Sequence, residues 1–413
     1  MIEVIKHILP NGLKLIIHQD FSTPIASVNL LYDVGSKDEG PNKTGFAHLF
    51  EHLMFGGSVN IPLFDEPLEH VGGENNAFTN NDITNYYITL PVENIETAFW
   101  LESDRMQSLA FSKKSLDVQR NVVIEEFNQR YLNQPYGDVW LHLRPLAYTA
   151  HPYMWPTIGK STDHIKSATL SDVKDFFYSH YAPNNAILCV AGPVDPAKII
   201  NLANKWFGPI EQRNIAKRNL PKEPIQTAPR ELEVVRDVPF NSIYKAYHMY
   251  NRHHKDFPAI DLMSDLLSNG KSARLYQKLV KEKQLFSNVN AYITGDIEEG
   301  LFIITGQLYP TTTYKQAESA IAEEVLNLQE YAVSNYELEK VQNKFESNFT
   351  FEETSALNKA TNLSFFELLG DANNVNLEVQ KYRNITPENI RSVAQEILTE
   401  NNCSTLYYTS NQK

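Results

Sequence analysis

Residues 44–55 read TGFAHLFEHLMF, and the interpretation of the whole chain starts from this stretch. Its apolar residues recur at helical spacing and predict a helix that begins after Gly45. His48, Glu51 and His52 are the only polar residues of the stretch after Gly45. On a helix the two histidines share one face, with the glutamate beside them. Because buried imidazole and carboxylate groups are unfavourable without a partner, the pattern indicates that something binds them.

A zinc ion is the partner that this pattern favours. Two histidines four residues apart can offer two ring nitrogens to one tetrahedral Zn²⁺, and His-x-x-Glu-His is the inverted form of the commoner zinc-peptidase motif. Catalytic zinc needs a third protein ligand. Residues 121–127, NVVIEEF, offer two candidates, since Glu125 and Glu126 interrupt an apolar helical run. Spacing alone does not choose between them, and the short motif alone also fits a solvated pair beside a packed histidine.

The rest of the sequence predicts an α+β fold built from two homologous halves, each a mixed β-sheet covered by helices on one face. Residues 76–91, NAFTNNDITNYYITLP, have the alternation of a strand, and Ser171 is a candidate N-cap for a later helix. Residues 211–230 are polar, contain three prolines and lack periodicity, which predicts a linker. Residues 231–413 repeat the plan of residues 1–210 but lack the His-Glu-His cluster.

Composition limits the possible classes of function. A chain of 413 residues is longer than one hydrophobic core usually organises, which predicts two domains. The formal net charge of -13 argues against nucleic acid or an anionic membrane as the main partner. No stretch approaches the roughly 18 apolar residues of a membrane span. We expect a cytoplasmic protein as the sequence stands, or a periplasmic one if a signal peptide was removed. Cys189 and Cys403 are predicted to be buried structural thiols.

The chain resembles the pitrilysin-type metallopeptidases, the family of insulin-degrading enzyme and the mitochondrial processing peptidases. The resemblance rests on GFAHLFEHLMFGGS, VGGENNAFTNNDITNYYITLP, NVVIEEFNQR, GKSARLYQKLVKEK and the plan of two halves. It implies that His48, His52 and Glu126 bind zinc, with Glu126 rather than Glu125 at the family's ligand position. It also implies that Glu51 is the general base that takes a proton from the attacking water.

The resemblance further implies how the substrate binds. Asn76 and Ala77 match an Asn-Ala pair near the family's cleft, in a segment that can pair with an extended peptide. Family members of this length act as dimers, in which each chain forms half of a clam-shell chamber around a peptide or an unfolded polypeptide segment.

Two departures from the family pattern affect these expectations. Many relatives have a glutamate seven residues before the ligand glutamate, a position held here by Gln119, which can hydrogen-bond to a zinc ligand but carries no charge. Complete enzymes carry an Arg and a Tyr, seven residues apart, that hold the substrate carbonyl, whereas Lys281 and Asn288 stand at those positions here. We therefore expect a heterodimer, with a zinc-free homologous subunit supplying that pair, in preference to a homodimer. The alternative is a non-catalytic scaffold or assembly subunit of the same fold.

Overall fold

The computed structural model describes residues 1–215 and 217–411, which form eleven β-strands and fourteen α-helices. The strands are β1 (Ile5–Ile8), β2 (Lys14–Gln19), β3 (Ile25–Tyr32), β4 (Glu74–Thr79), β5 (Thr84–Pro91), β6 (Ala186–Gly192), β7 (Arg230–Arg236), β8 (Ser242–His248), β9 (Phe286–Ile293), β10 (Leu301–Leu308) and β11 (Cys403–Ser410). The helices are α1 (Phe46–Leu53), α2 (Asp65–His70), α3 (Ile95–Gln107), α4 (Lys113–Phe127), α5 (Val139–Ala147), α6 (Thr162–Lys166), α7 (Leu170–His180), α8 (Pro196–Trp206), α9 (Phe257–Ser268), α10 (Tyr314–Glu330), α11 (Asn335–Glu352), α12 (Ala356–Leu368), α13 (Glu378–Arg383) and α14 (Pro387–Ile397).

The first compact unit consists of Met1–Asn128, Trp155–Leu220 and Phe349–Glu378. Its mixed sheet has six strands in the order β1-β2-β6-β3-β5-β4. Only β2 and β6 pair in parallel, and β4 forms one edge of the sheet. The helix α1, which carries the His-Glu-His cluster, packs against α4 and β4 in this unit.

The second compact unit consists of Gln129–Met154, Pro221–Asn348 and Val379–Lys413. Its five-stranded sheet has the order β7-β11-β8-β10-β9, with β7 and β11 parallel. Strand for strand this order matches the first sheet without β1. The predicted α+β fold of two related halves, each with a mixed sheet and covering helices, is therefore confirmed.

Each unit takes one helix from the opposite half of the sequence, and that helix covers the second face of the sheet. In the second unit, Leu143 of α5 packs with Ile303 of β10, while the next strand residue, Ile304, packs with α9 and α14. In the first unit, the Asn29 side chain of β3 donates a hydrogen bond to the hydroxyl of Ser364 on α12. The next residue of β3 pairs with Tyr86, whose ring contacts α3, so α12 and α3 lie on opposite faces of this sheet. The helical cover predicted on one face is thus supplemented by a single helix on the other.

The compact units differ from the predicted contiguous division into residues 1–210 and 231–413 because of this exchange of segments. The described part of the predicted linker, residues 211–215 and 217–229, contains no helix or strand. Both cysteines are buried free thiols, as predicted. Within residues 1–215 and 217–411, no helix has the length and apolar character needed to cross a membrane.

Two local predictions were wrong. The stretch 76–91 is not one strand, because Thr79 pairs with Thr84 and the chain reverses between them to form a β4–β5 hairpin. The Asn80 carboxamide oxygen accepts hydrogen bonds from two backbone amides of this turn, which stabilises the reversal. The helix α7 is capped by Thr169 rather than Ser171, because Thr169 and Asp172 form a reciprocal capping box.

Candidate metal centre

The N-terminus of α1 is fixed by backbone contacts and by a buried carboxylate. Gly45, the N-cap residue, has φ +88° and lies against the backbone of Ile158. The buried Glu39 accepts hydrogen bonds from the amides of Gly45 and Ala47, each at 2.8 Å. These are amides that the helix itself leaves without partners. Burial raises the pKa of Glu39 well above its usual value, and the two amide donors oppose that shift.

We expect Gly45→Ala to destabilise the first unit and weaken any metal binding there. A Cβ at this position would lie 2.5 Å from the Ile158 carbonyl oxygen, and the left-handed backbone adds strain. The expected cost is at least about 2 kcal/mol, seen as a lower thermal unfolding midpoint. Gly40→Ala is the matched control, since nothing lies within 4 Å of a Cβ built there. Equal midpoints for the two variants would contradict the prediction.

The apolar face of α1 anchors the helix from behind. Phe50 stacks on Tyr181 with ring centroids 5.2 Å apart, and both side chains are fully buried. Burial raises the pKa values of the Tyr86 and Tyr181 hydroxyls, and the Glu51 carboxylate adds to both shifts. His48, Glu51 and the neighbouring histidine lie on the half-buried opposite side. The buried apolar residues of α1 thus fix the position of the helix, and with it the position of the polar side chains on its opposite side.

The helix α4 carries the second half of the centre. Its N-cap, Ser112, accepts a hydrogen bond from the Ser115 amide. Its buried residues are Leu116, Val123 and Phe127. Arg120 donates from one guanidinium nitrogen to two backbone carbonyl oxygens near α6, which ties the exposed side of α4 to the same unit.

Three predicted ligands meet between α1 and α4. The Nε2 atoms of His48 and His52 lie 3.5 Å and 3.6 Å from Glu126 Oε2. One ligand atom from each of the three residues lies within 4.8 Å of the other two. The two imidazole rings are perpendicular, with centroids 4.9 Å apart. Ligand atoms bound to one tetrahedral zinc would be about 3.4 Å apart. The geometry and the donor set therefore fit zinc.

The two candidate carboxylates of α4 have different surroundings. Glu126 Oε2 is buried and forms no hydrogen bond within the described part of the chain. Glu125 is exposed and does not belong to the three-residue cluster. A buried carboxylate oxygen requires a compensating partner, and a cation between the three side chains would be one. Of the two glutamates, the structure brings only Glu126 to the histidines.

Glu51 lies beside the ligands on α1, and its carboxylate is held from another element. The hydroxyl of Thr79, the last residue of β4, donates to Glu51 Oε2 at 2.6 Å. β4 is also the edge strand that contains Asn76 and Ala77. The Ala77 amide donates to the Asn76 side-chain oxygen at 2.8 Å, and Asn76 is exposed. The candidate base and the candidate substrate strand are therefore directly linked.

The other predicted residues are not members of the three-residue cluster. Gln119 is half-buried on α4, and its side chain forms no hydrogen bond within residues 1–215 and 217–411. Lys281 is exposed in the π-helical turn Tyr276–Glu282 of the second unit. Asn288 lies on β9, the edge strand of the second sheet, and donates to Gln307. The roles predicted for Gln119, Asn76 and Ala77 remain predictions.

Sequence reasoning missed two residues of the site, Glu39 and Thr79. Glu39 lies six residues before the N-cap, too far for the usual capping-box spacing. Thr79 was hidden because the stretch around it was interpreted as one continuous strand. The Asn-Asn-Asp sequence at residues 80–82 was the available signal, since such residues favour turns.

Comparisons with known proteins connect this centre to one family. A family model described as Insulinase (Peptidase family M16) matches residues 14–153, and one described as Peptidase M16 inactive domain matches residues 167–345. The chain is similar to zinc protease PqqE of Helicobacter pylori, with 29% identity over 97% of this chain and 91% of that protein. It is 32% identical to the mitochondrial-processing peptidase subunit beta of Saccharomyces cerevisiae, over 48% of this chain and 43% of that one.

A solved structure is similar over the whole length. The crystal structure of a protease from Helicobacter pylori matches with a TM-score of 0.92 and 28% identity. The match covers 99% of this chain and 100% of that one. The arrangement of the elements around the centre is therefore shared with a protease from that organism.

Proposed function

The chain belongs to the M16 peptidase family, and from this we propose that it is the zinc-bearing subunit of a metalloendopeptidase. Its substrates would be peptides or unfolded polypeptide segments. The observation that carries the proposal is the meeting of His48 and His52 with the buried Glu126 Oε2. Relatives that are named zinc proteases support the choice of metal.

The chemistry follows from the positions of these side chains. Zinc held by the three ligands would lower the pKa of a water molecule and polarise the peptide carbonyl. Glu51, adjacent to His52, accepts the proton of the attacking water and gives it to the leaving amine nitrogen as the C–N bond breaks. The Thr79 hydroxyl donates a hydrogen bond to the Glu51 carboxylate. The apolar packing behind α1 keeps the helix from shifting during the reaction.

The substrate would bind as an added strand on β4. The strand is the edge of its sheet, with Asn76 exposed and Ala77 half-buried. An extended peptide can pair with such an edge through its main chain, which favours unfolded segments over folded proteins. The Asn76 side chain, which bonds the Ala77 amide, would move aside or bond the peptide in its place.

The site would be completed by a second, homologous subunit without zinc. The residues that correspond to the carbonyl-binding pair of complete enzymes are Lys281 and Asn288. A lysine acts as a point charge, and an asparagine does not have the reach of a tyrosine hydroxyl. The yeast relative is itself named as one subunit of a peptidase. A heterodimer is therefore our proposal, with a homodimer as the less favoured form.

A scaffold role is the second candidate, because a model described as an inactive domain matches residues 167–345. That match lies wholly outside α1 and α4, the helices that carry the three ligands. A scaffold would have no need of a buried carboxylate oxygen facing two imidazoles, since such a group is costly without a cation. The intact cluster in residues 48–126 therefore favours the peptidase.

Zinc content and cleavage together separate these possibilities. The purified chain is analysed for zinc and assayed with a quenched peptide library, alone and with a co-purified M16 subunit that carries the Arg/Tyr pair. One zinc per chain, with cleavage only after the subunit is added, is the expected result. Absence of zinc overturns the peptidase proposal. Full-rate cleavage by the chain alone contradicts the split site, and zinc without cleavage in either sample favours the scaffold.

A further inference from the structure

The orientation of the Glu51 carboxylate depends on a residue from another part of the chain. The Thr79 hydroxyl donates to Glu51 Oε2 over 2.6 Å, a short distance of the kind that charge-assisted hydrogen bonds show. A glutamate side chain has several rotatable bonds and loses entropy when it is held in one conformation. A donor fixed on a rigid element can hold it, and a threonine hydroxyl is suited to this because branching at Cβ restricts its rotation.

The turn after Thr79 makes that donor rigid. Thr79 pairs with Thr84 at the end of the β4–β5 hairpin. Between them the Asn80 amide donates to the Ile83 carbonyl oxygen at 3.0 Å. The Asn80 side chain accepts from the amides of Asp82 and Ile83, each at 2.8 Å. The hairpin therefore ends in a closed, hydrogen-bonded reversal directly beside the hydroxyl.

The same turn is fastened to the segment that leads to α1. The amides of Ser36 and Lys37 donate to the backbone carbonyl oxygens of Asn80 and Asn81 at 3.1 Å and 2.9 Å. The Lys37 ammonium pairs with Asp82 at 2.7 Å, and the two side chains are only 2% and 4% exposed. Separating a buried ion pair is costly, because it leaves uncompensated charges in the interior. The pair therefore opposes movement of the Thr79 turn.

We propose that Thr79 is a positioning residue that aligns the Glu51 carboxylate for proton transfer and couples it to the substrate strand β4. The inference rests on the proposed function and deepens it. Ala77 and Thr79 are two residues apart on β4 and share one face. An extended peptide that pairs with β4 therefore lies along the same rigid strand that holds the base. One strand thus positions both the substrate and the Glu51 carboxylate.

The test compares Thr79→Val, which keeps the shape but loses the hydroxyl, with Thr79→Ser, which keeps the hydroxyl. In the complete enzyme, Thr79→Val lowers kcat roughly ten- to hundredfold, because a misaligned base loses part of its catalytic contribution. KM and zinc content stay as in the unchanged protein, and Thr79→Ser restores most of kcat. The affinity for a peptide hydroxamate is a second measurement that does not depend on turnover. A hydroxamate binds zinc, and its hydroxyl group contacts the general base. We expect this affinity to fall in Thr79→Val together with kcat.

Several outcomes overturn the positioning role. Equal kcat and hydroxamate affinity in Thr79→Val and the unchanged protein would show that Glu51 is aligned without Thr79. A loss of zinc or a lower unfolding midpoint in Thr79→Val, with no rescue by Thr79→Ser, would assign Thr79 a structural role. Failure of the proposed function is distinguishable, because the unchanged chain would then bind no zinc, or show no cleavage with its partner.

Discussion

Glu51→Gln is expected to lower kcat for peptide cleavage severely while the chain still binds one zinc ion. Glutamine has the shape of glutamate and can accept the Thr79 hydrogen bond, but it cannot take up a proton. Loss of a general base should lower kcat by roughly a hundred- to ten-thousandfold. The measurement is kcat on a quenched peptide, with metal analysis of the same sample.

Glu66→Gln is the matched control, because Glu66 is an exposed residue of α2 outside the metal cluster. It should leave both zinc content and kcat unchanged. If Glu51→Gln cleaved at the normal rate, the base would have to be another group. If the variant also lost its zinc, its effect on cleavage could no longer be assigned to proton transfer, and the assignment of Glu51 would fail.

Glu126→Gln is expected to cause a much larger loss of zinc affinity than Glu125→Gln. The substitution replaces the only anionic oxygen in the three-residue cluster with a neutral amide. The loss should exceed the roughly 10- to 100-fold that removal of an outer hydrogen-bond partner of a metal ligand costs. Titration of zinc into the metal-free chain, in competition with a chelator of known affinity, measures the change.

Thermal unfolding gives a second measurement of the same prediction. A ligand that binds only the folded state stabilises it by about 2.7 kcal/mol at a concentration 100 times its Kd. Zinc should therefore raise the unfolding midpoint of the unchanged chain and of Glu125→Gln, the exposed neighbour, but not that of Glu126→Gln. If Glu125→Gln removed the zinc-dependent rise and Glu126→Gln kept it, the third ligand would be Glu125, and our assignment of Glu126 would be wrong.

Local signals in the sequence predicted much of this site. The spacing of His48 and His52 defines a helical face without knowledge of the fold, and the contrast between a polar trio and its apolar neighbours indicates a bound ion. The nearness of Glu126, more than seventy residues away, depends on how α1 packs against α4, which spacing does not encode. Only the family resemblance distinguished it from Glu125.

The limits of the fold prediction have a physical cause as well. An amphipathic pattern shows that a helix buries one side, but it does not say which sheet receives that side. The patterns of α5 and α12 are therefore compatible with packing in their own halves, and the exchange could not be predicted. The alternation on both sides of Asn80 favours a single strand, and this pattern was given more weight than the turn-forming residues 80–82 between the two parts.

The helix α12 has a consequence for the order in which the protein matures during synthesis. The metal-bearing unit includes Phe349–Glu378, so its sheet cannot bury its second face until those residues have left the ribosome. At a usual rate of about 5–20 residues per second, this comes roughly ten to thirty seconds after the first half has been made. During that interval the face of the first sheet that α12 covers has no helical cover. The metal-bearing unit is thus completed only after residues 349–378 have been made, and a chain that terminates before them lacks the helical cover of that sheet face.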